Sequence, residues 1–116
     1  MLQQREFFLR LIEQAGVAVA RLRARLGLGT TAEAEIVVRE AEQAQAALFG
    51  SLWPSVRVLD PTSAAMLVGD ARQFHAWLDL LRVQAAAYEQ IGAMQEYQAL
   101  TARADALERA APSAES

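Results

Sequence analysis

At 116 residues the chain has the length of one domain, and its 53% hydrophobic content, with a mean hydropathy of +0.09, excludes global disorder. The absence of cysteine excludes a disulfide framework, a thiolate metal site and a cysteine nucleophile, and a single histidine leaves little for acid–base or metal chemistry. A net charge of −3 with a pI near 5.1 gives no general reason for a polyanion partner, so nucleic acid is not expected. Twenty-five alanines, 15 leucines, 11 arginines and 10 glutamines dominate the rest, and these are the better helix formers. No alternating apolar run competes with them, so the expected fold class is all-α. The use of arginine with no lysine at all points to a GC-rich bacterial coding sequence.

The first helix is expected from Gln3 to Leu26. Phe8, Ile12, Ala15, Val19, Leu22 and Leu26 recur at steps of three and four, and Phe7, Leu11 and Ala18 widen that stripe. Arg10, Glu13 and Gln14 interrupt the apolar stretch from Phe7 to Ala20. A signal peptide needs an uncharged core of ~7–15 residues and a membrane span ~20, so no membrane association and a cytoplasmic location are expected. Gly27 and Gly29 end this helix.

Thr30 caps the second helix, with Glu33 placed to reach back as a capping box. Val37, Ala41, Ala44 and Leu48 form its stripe, flanked by Ala34 and Val38, and Gly50 ends it. Between Ser51 and Gly69 the pattern is irregular. Trp53-Pro54 reads as a turn, and Val56, Val58 and Leu59 as an extended connector. Asp60-Pro61 opens a short helix from Pro61 to Val68, which Gly69 ends.

The fourth helix follows an Asp70 cap that Gln73 can answer. It carries Phe74, Leu78, Leu81, Ala85 and Tyr88 on one stripe, with Trp77 beside it. Gly92 ends it, and a fifth helix from Ala93 to Ala110 carries Tyr97, Leu100, Ala104 and Leu107. The expectation is a single domain over 1–111, built of two antiparallel helical hairpins joined by an irregular segment with a short helix. A loose tail is expected over 112–116.

Within the second hairpin, Leu81 stands at a large apolar position, Ala85 at a small one, Tyr88 at an aromatic one, Gly92 at the turn and Ala104 at a late small position. On these residues the hairpin resembles a tetratricopeptide (TPR) repeat, a helix–turn–helix unit of roughly 34 residues. Tyr97 and Thr101 depart from the usual alanine and aromatic, and the closing proline comes late, as Pro112. The opening Phe8-Leu9-Arg10-Leu11-Ile12-Glu13-Gln14 is similar to the start of a small bacterial family of uncharacterised helical proteins, which implies a fold and no activity.

The TPR resemblance implies a non-catalytic module that binds a protein or peptide, with Asp79, Arg82, Glu89 and Gln90 on the groove side of the fourth helix. Trp77 joins them as a candidate, since tryptophan is enriched at binding hot spots, although packing in the core is its leading reading. Trp53, beside a proline in the irregular segment, is balanced between core and interface. Two hairpins leave an apolar face for something to cover, so a homodimer closed over Leu78 and Trp77 is the alternative.

Other polar clusters have plainer readings. His75 and Asp79 stand one helical turn apart, but zinc needs three or four protein ligands, so metal could bind only between two chains. Small-ligand or metal binding at a dimer interface is therefore the third reading, after the interaction module and the homodimer. No cofactor is expected. Arg21, Arg23 and Arg25 do not share a face, because Arg23 points about 160° away on a 3.6-residue helix. They read as a solvated helix end favoured by the negative C-terminal dipole, and Glu33, Glu35, Glu40 and Glu42 on the second helix read as electrostatics within the first hairpin.

Overall fold

The computed structural model describes residues 2–112, which form six α-helices and one short 3-10 turn, and no strand occurs among them. The helices are α1 (Leu2–Leu26), α2 (Thr31–Phe49), α3 (Trp53–Val58), α4 (Pro61–Val68), α5 (Ala71–Ile91) and α6 (Met94–Ala110), with the 3-10 turn at Gly50–Leu52. Of the tail expected over 112–116, residues 113–116 lie outside the described residues. No helix among them is long and apolar enough to cross a membrane.

Local chemistry sets most of the boundaries. Thr30 Oγ1 accepts the Glu33 N–H at 3.1 Å, Asp60 Oδ2 accepts that of Ser63 at 3.2 Å, and Asp70 Oδ1 accepts that of Gln73 at 2.9 Å. Each cap satisfies one of the orphan donors of a helix start. The reciprocal halves of two caps go elsewhere. Glu33 takes a 2.8 Å ion pair from Arg25 across the first hairpin, and the Gln73 side chain donates to the Leu48 carbonyl at 3.2 Å. The latter bond ties the start of α5 to the end of α2. Gly92 closes α5 in the left-handed region at φ 89°.

α5 is the central element. It packs against α1, α2 and α6, while α1 and α2 pack together as a hairpin and α4 rests on α6. Gln73, Phe74, Trp77, Leu78, Leu80, Leu81, Val83, Gln84, Ala85 and Ala87 of α5 are all buried. They point in too many directions for one stripe, and Leu80, Val83 and Ala87 fall outside the stripe expected from the sequence. A helix with neighbours on three sides needs no polar face there. Its largest side chain, Trp77, is 1% exposed and packs edge-to-face on Phe74 and Phe49, with centroids 5.6 and 5.2 Å apart.

Two expectations are corrected. Phe7, placed on the buried stripe of α1, is 61% exposed. α1 has 25 residues against 19 in α2, so its first turns run past the end of the hairpin. Residues 53–58 are a helix and not an extended connector, because Pro54 sits in its first turn, where the missing N–H costs nothing. Val56 is fully buried there, while Val58 is 77% exposed.

Candidate functional site

α2 and α6 both pack on α5, and no Cα of one comes within 8 Å of a Cα of the other. The space between them is a cleft of about 340 Å³ with α5 as its floor and α3 across one end. Trp77, Leu81, Gln84 and Tyr88, at steps of three and four along α5, make the floor. Glu42 and Gln45 come from α2, Trp53 and Arg57 from α3, and Glu96, Ala99, Leu100 and Arg103 from α6.

The floor is fixed by a buried amide network. Gln45 Nε2 donates to Gln84 Oε1 at 2.8 Å and to the Ala41 carbonyl at 3.2 Å, while Gln45 Oε1 accepts the Trp77 indole N–H at 3.1 Å. Gln45 is 1% exposed and Gln84 5%, so these amides are shielded from water and hold one geometry. Trp53 stacks on Phe49 with an interplanar angle of 5° and centroids 6.0 Å apart, and is half-buried at the cleft wall.

Arg103 forms the corner where α3 meets α6. Its Nη1 donates to the Leu59 carbonyl at 2.9 Å, and its Nη2 to those of Val56 and Arg57 at 3.1 and 3.2 Å. These carbonyls terminate α3, so the guanidinium caps the negative end of that helix. Its Cζ lies 5.7 Å from the Trp77 ring centroid. Burial lowers the Arg103 pKa, and the charge of Asp60 offsets part of that shift. Arg57, by contrast, pairs with Glu42 at 3.0 Å on the rim.

Of the five residues singled out in the sequence, Asp79, Arg82, Glu89 and Gln90 fall within about 100° of one another around α5, and Trp77 does not join them. Asp79 and Glu89 are exposed on the outward side of α5, and Arg82 is held by Asp105 and Glu108 of α6 at 3.0 and 2.9 Å. Gln90 is half-buried, with its Nε2 buried and unpartnered. Trp77 lies about 160° around the helix from Asp79 and belongs to the cleft floor. Leu78 is 4% exposed and Trp77 1%, so a dimer through these two side chains has no surface to use. His75 and Asp79 are both exposed, and no group of three potential metal ligands gathers among the described residues.

Sequence reasoning passed over Gln45, Gln84 and Arg103. A signal existed for the glutamines: each sits inside an apolar helical stripe, where a polar side chain needs a buried partner. Arg103 gave none, because its partners lie 44 to 47 positions away. A second groove between α1 and α2 is lined by Leu11, Ala15, Ala18, Ala44, Ala47 and Leu48 together with Glu13, Gln14 and Arg21, of which Arg21 is paired with Glu40. Arg21 and Arg25 reach Glu40 and Glu33 at 3.8 and 2.8 Å, so part of the basic run is used within the hairpin. Comparison with known protein families, curated proteins and solved structures finds no match for the chain.

Proposed function

We propose that the protein is a non-catalytic, TPR-like interaction module that takes a short peptide segment in the cleft between α2 and α6. The observation that carries this reading is the preformed aromatic cleft over the Gln45–Trp77–Gln84 network. A floor that is already ordered loses little entropy when a partner docks. An apolar anchor side chain fits between Trp53, Leu81 and Leu100, and the Glu42–Arg57 pair and Glu96 supply a polar rim. The neighbour order also supports it: α5 contacts both helices of the first hairpin as well as its own partner α6, as successive hairpins of a repeat stack do. A cytoplasmic location belongs to the same proposal.

A displayed library of random peptides, panned on the folded protein, tests it. Enriched peptides should carry an apolar anchor, bind the parent and fail on Leu100→Arg. No enrichment, or equal binding to the variant, overturns the reading.

One observation favours the alternative, a homodimer. Val58, Met66 and Leu67 are 77%, 79% and 42% exposed on the adjoining helices α3 and α4. Sedimentation across a wide concentration range decides it. A dimer that dissociates in Met66→Glu supports this second reading, and a monomer throughout removes it.

A further inference from the structure

We propose that the cleft between α2 and α6 is also a binding site for a small apolar carboxylic acid, with the carboxylate on Arg103 and the hydrocarbon body along Trp53, Leu81 and Leu100. The inference goes beyond the peptide reading and does not depend on it.

Charge is the first argument. Among the described residues Arg103 has no carboxylate within ion-pair distance, whereas Arg57, the other cation of the cleft, is already paired with Glu42. The α3 carbonyls face Arg103 with partial negative charge, to which the charge of Asp60 adds, and they accept from three of the five donors of the guanidinium, leaving two. A half-buried cation facing an apolar cavity attracts an anion more strongly than one in water, because the surroundings screen it less. The desolvation felt at Arg103 fits that setting.

Shape is the second argument. About 340 Å³ lies at the small end of ligand pockets, so it suits a small acid better than a large cofactor. Trp53, Trp77, Leu81, Tyr88 and Leu100 give the lining its apolar surface. The floor amides Gln45 and Gln84 are bonded to each other, and Glu42 is paired with Arg57. Arg103 stands at the α3 end, and Glu96 stands seven residues earlier on α6, about 10 Å away along the helix. The two ends therefore orient the ligand, with the acid toward α3 and the tail toward Tyr88. Glu96 opposes a second carboxylate, so monocarboxylates should be preferred to dicarboxylates of the same length.

The test uses octanoate and phenylbutyrate as probes, with octanamide and phenylbutyramide as uncharged counterparts. Trp53 and Trp77 are the only tryptophans and both line the cleft, so their fluorescence reports occupancy directly. Both acids should shift the emission in a saturable way, and the amides should bind about tenfold more weakly, the loss of one charge-assisted contact. Arg103→Gln should erase the difference between acid and amide. Because that change also loosens α3, Ala99→Phe supplies a second variant, which fills the cleft and leaves Arg103 in place. It should abolish binding of both acids. Equal binding of acid and amide, no saturable response, or undiminished binding to Ala99→Phe overturns the proposal.

Discussion

Gln45 and Gln84, 39 positions apart, meet side chain to side chain at 2.8 Å inside the core. Gln45 ties α2 to α5 at a second point, because its carbonyl oxygen also accepts the Trp77 indole N–H. Gln45→Leu keeps the volume but leaves the indole N–H and the Gln84 carbonyl oxygen unpaired. An unsatisfied buried group costs ~1–3 kcal/mol, so with two such groups the loss should be ~2–6 kcal/mol. Gln84→Leu should cost less, since Gln45 Nε2 retains the Ala41 carbonyl. Urea denaturation of both variants checks the order, and equal midpoints would show that the network contributes no more than packing.

Arg103 should hold α3 in place. Its three bonds to the α3 terminus are charge-assisted, and α3 buries only Val56 of its own. Arg103→Met should therefore speed amide exchange across residues 53–59 while leaving exchange in α2 and α5 near that of the parent. A uniform rise throughout the chain would mean that Arg103 supports the whole core and not this one helix.

These two sites show where the sequence was and was not informative. Helix ends were legible because their causes are local: Asp60 with Pro61, Asp70 with Gln73, and Gly50, Gly69 and Gly92 at the stops. α3 was not legible. Trp53 precedes a proline, a position biased away from helix, yet it adopts φ −57° and ψ −44°. That helix is capped from α6 by a side chain that no local pattern connects to it. The candidate site was obscured for a similar reason. The floor residues Trp77, Leu81 and Tyr88 looked like core because the first two are core, and the opening above them exists only because α2 and α6 stay apart.

Asp60 gives the acid limb of stability a specific origin. Its pKa lies below the ordinary 3.8 because the Ser63 side chain and then the Ser63 backbone N–H favour the charged carboxylate. A group with a depressed folded-state pKa stabilises the fold above its unfolded value and loses that effect as pH falls through the folded one. The cap of α4 should accordingly weaken below pH 3.8. Asp60→Asn still caps but does not titrate, so its melting temperature should vary less with pH than that of the parent in this range. Parallel slopes for the two proteins would place the acid sensitivity elsewhere.

Arg82 should matter little despite its two carboxylate partners. The arginine side chain is 37% exposed, and those of Asp105 and Glu108 are 50% and 60% exposed. Exposed pairs contribute ~0.2–1 kcal/mol and are screened by salt. Arg82→Ala should lower stability by that amount at low ionic strength and by less at high salt. A larger, salt-independent loss would show that the aliphatic stem of Arg82, packed between α5 and α6, carries the interaction.

Gly16 is the position where a change should stabilise the protein. It lies in the middle of α1, is exposed, and a Cβ built there meets nothing within 4 Å. Glycine in a helix interior costs roughly 0.5–1 kcal/mol relative to alanine, chiefly through the freedom it gives the unfolded chain. Gly16→Ala should raise the denaturation midpoint by a corresponding amount. Gly92→Ala provides the opposite case, since φ is +89° there and a side chain strains the backbone even though the space is open. The pair should therefore move in opposite directions under the same denaturant. A destabilising Gly16→Ala would mean that the exposed side of α1 is in close contact with another molecule, and comparing the sedimentation of parent and variant would identify that contact as a second copy of the chain.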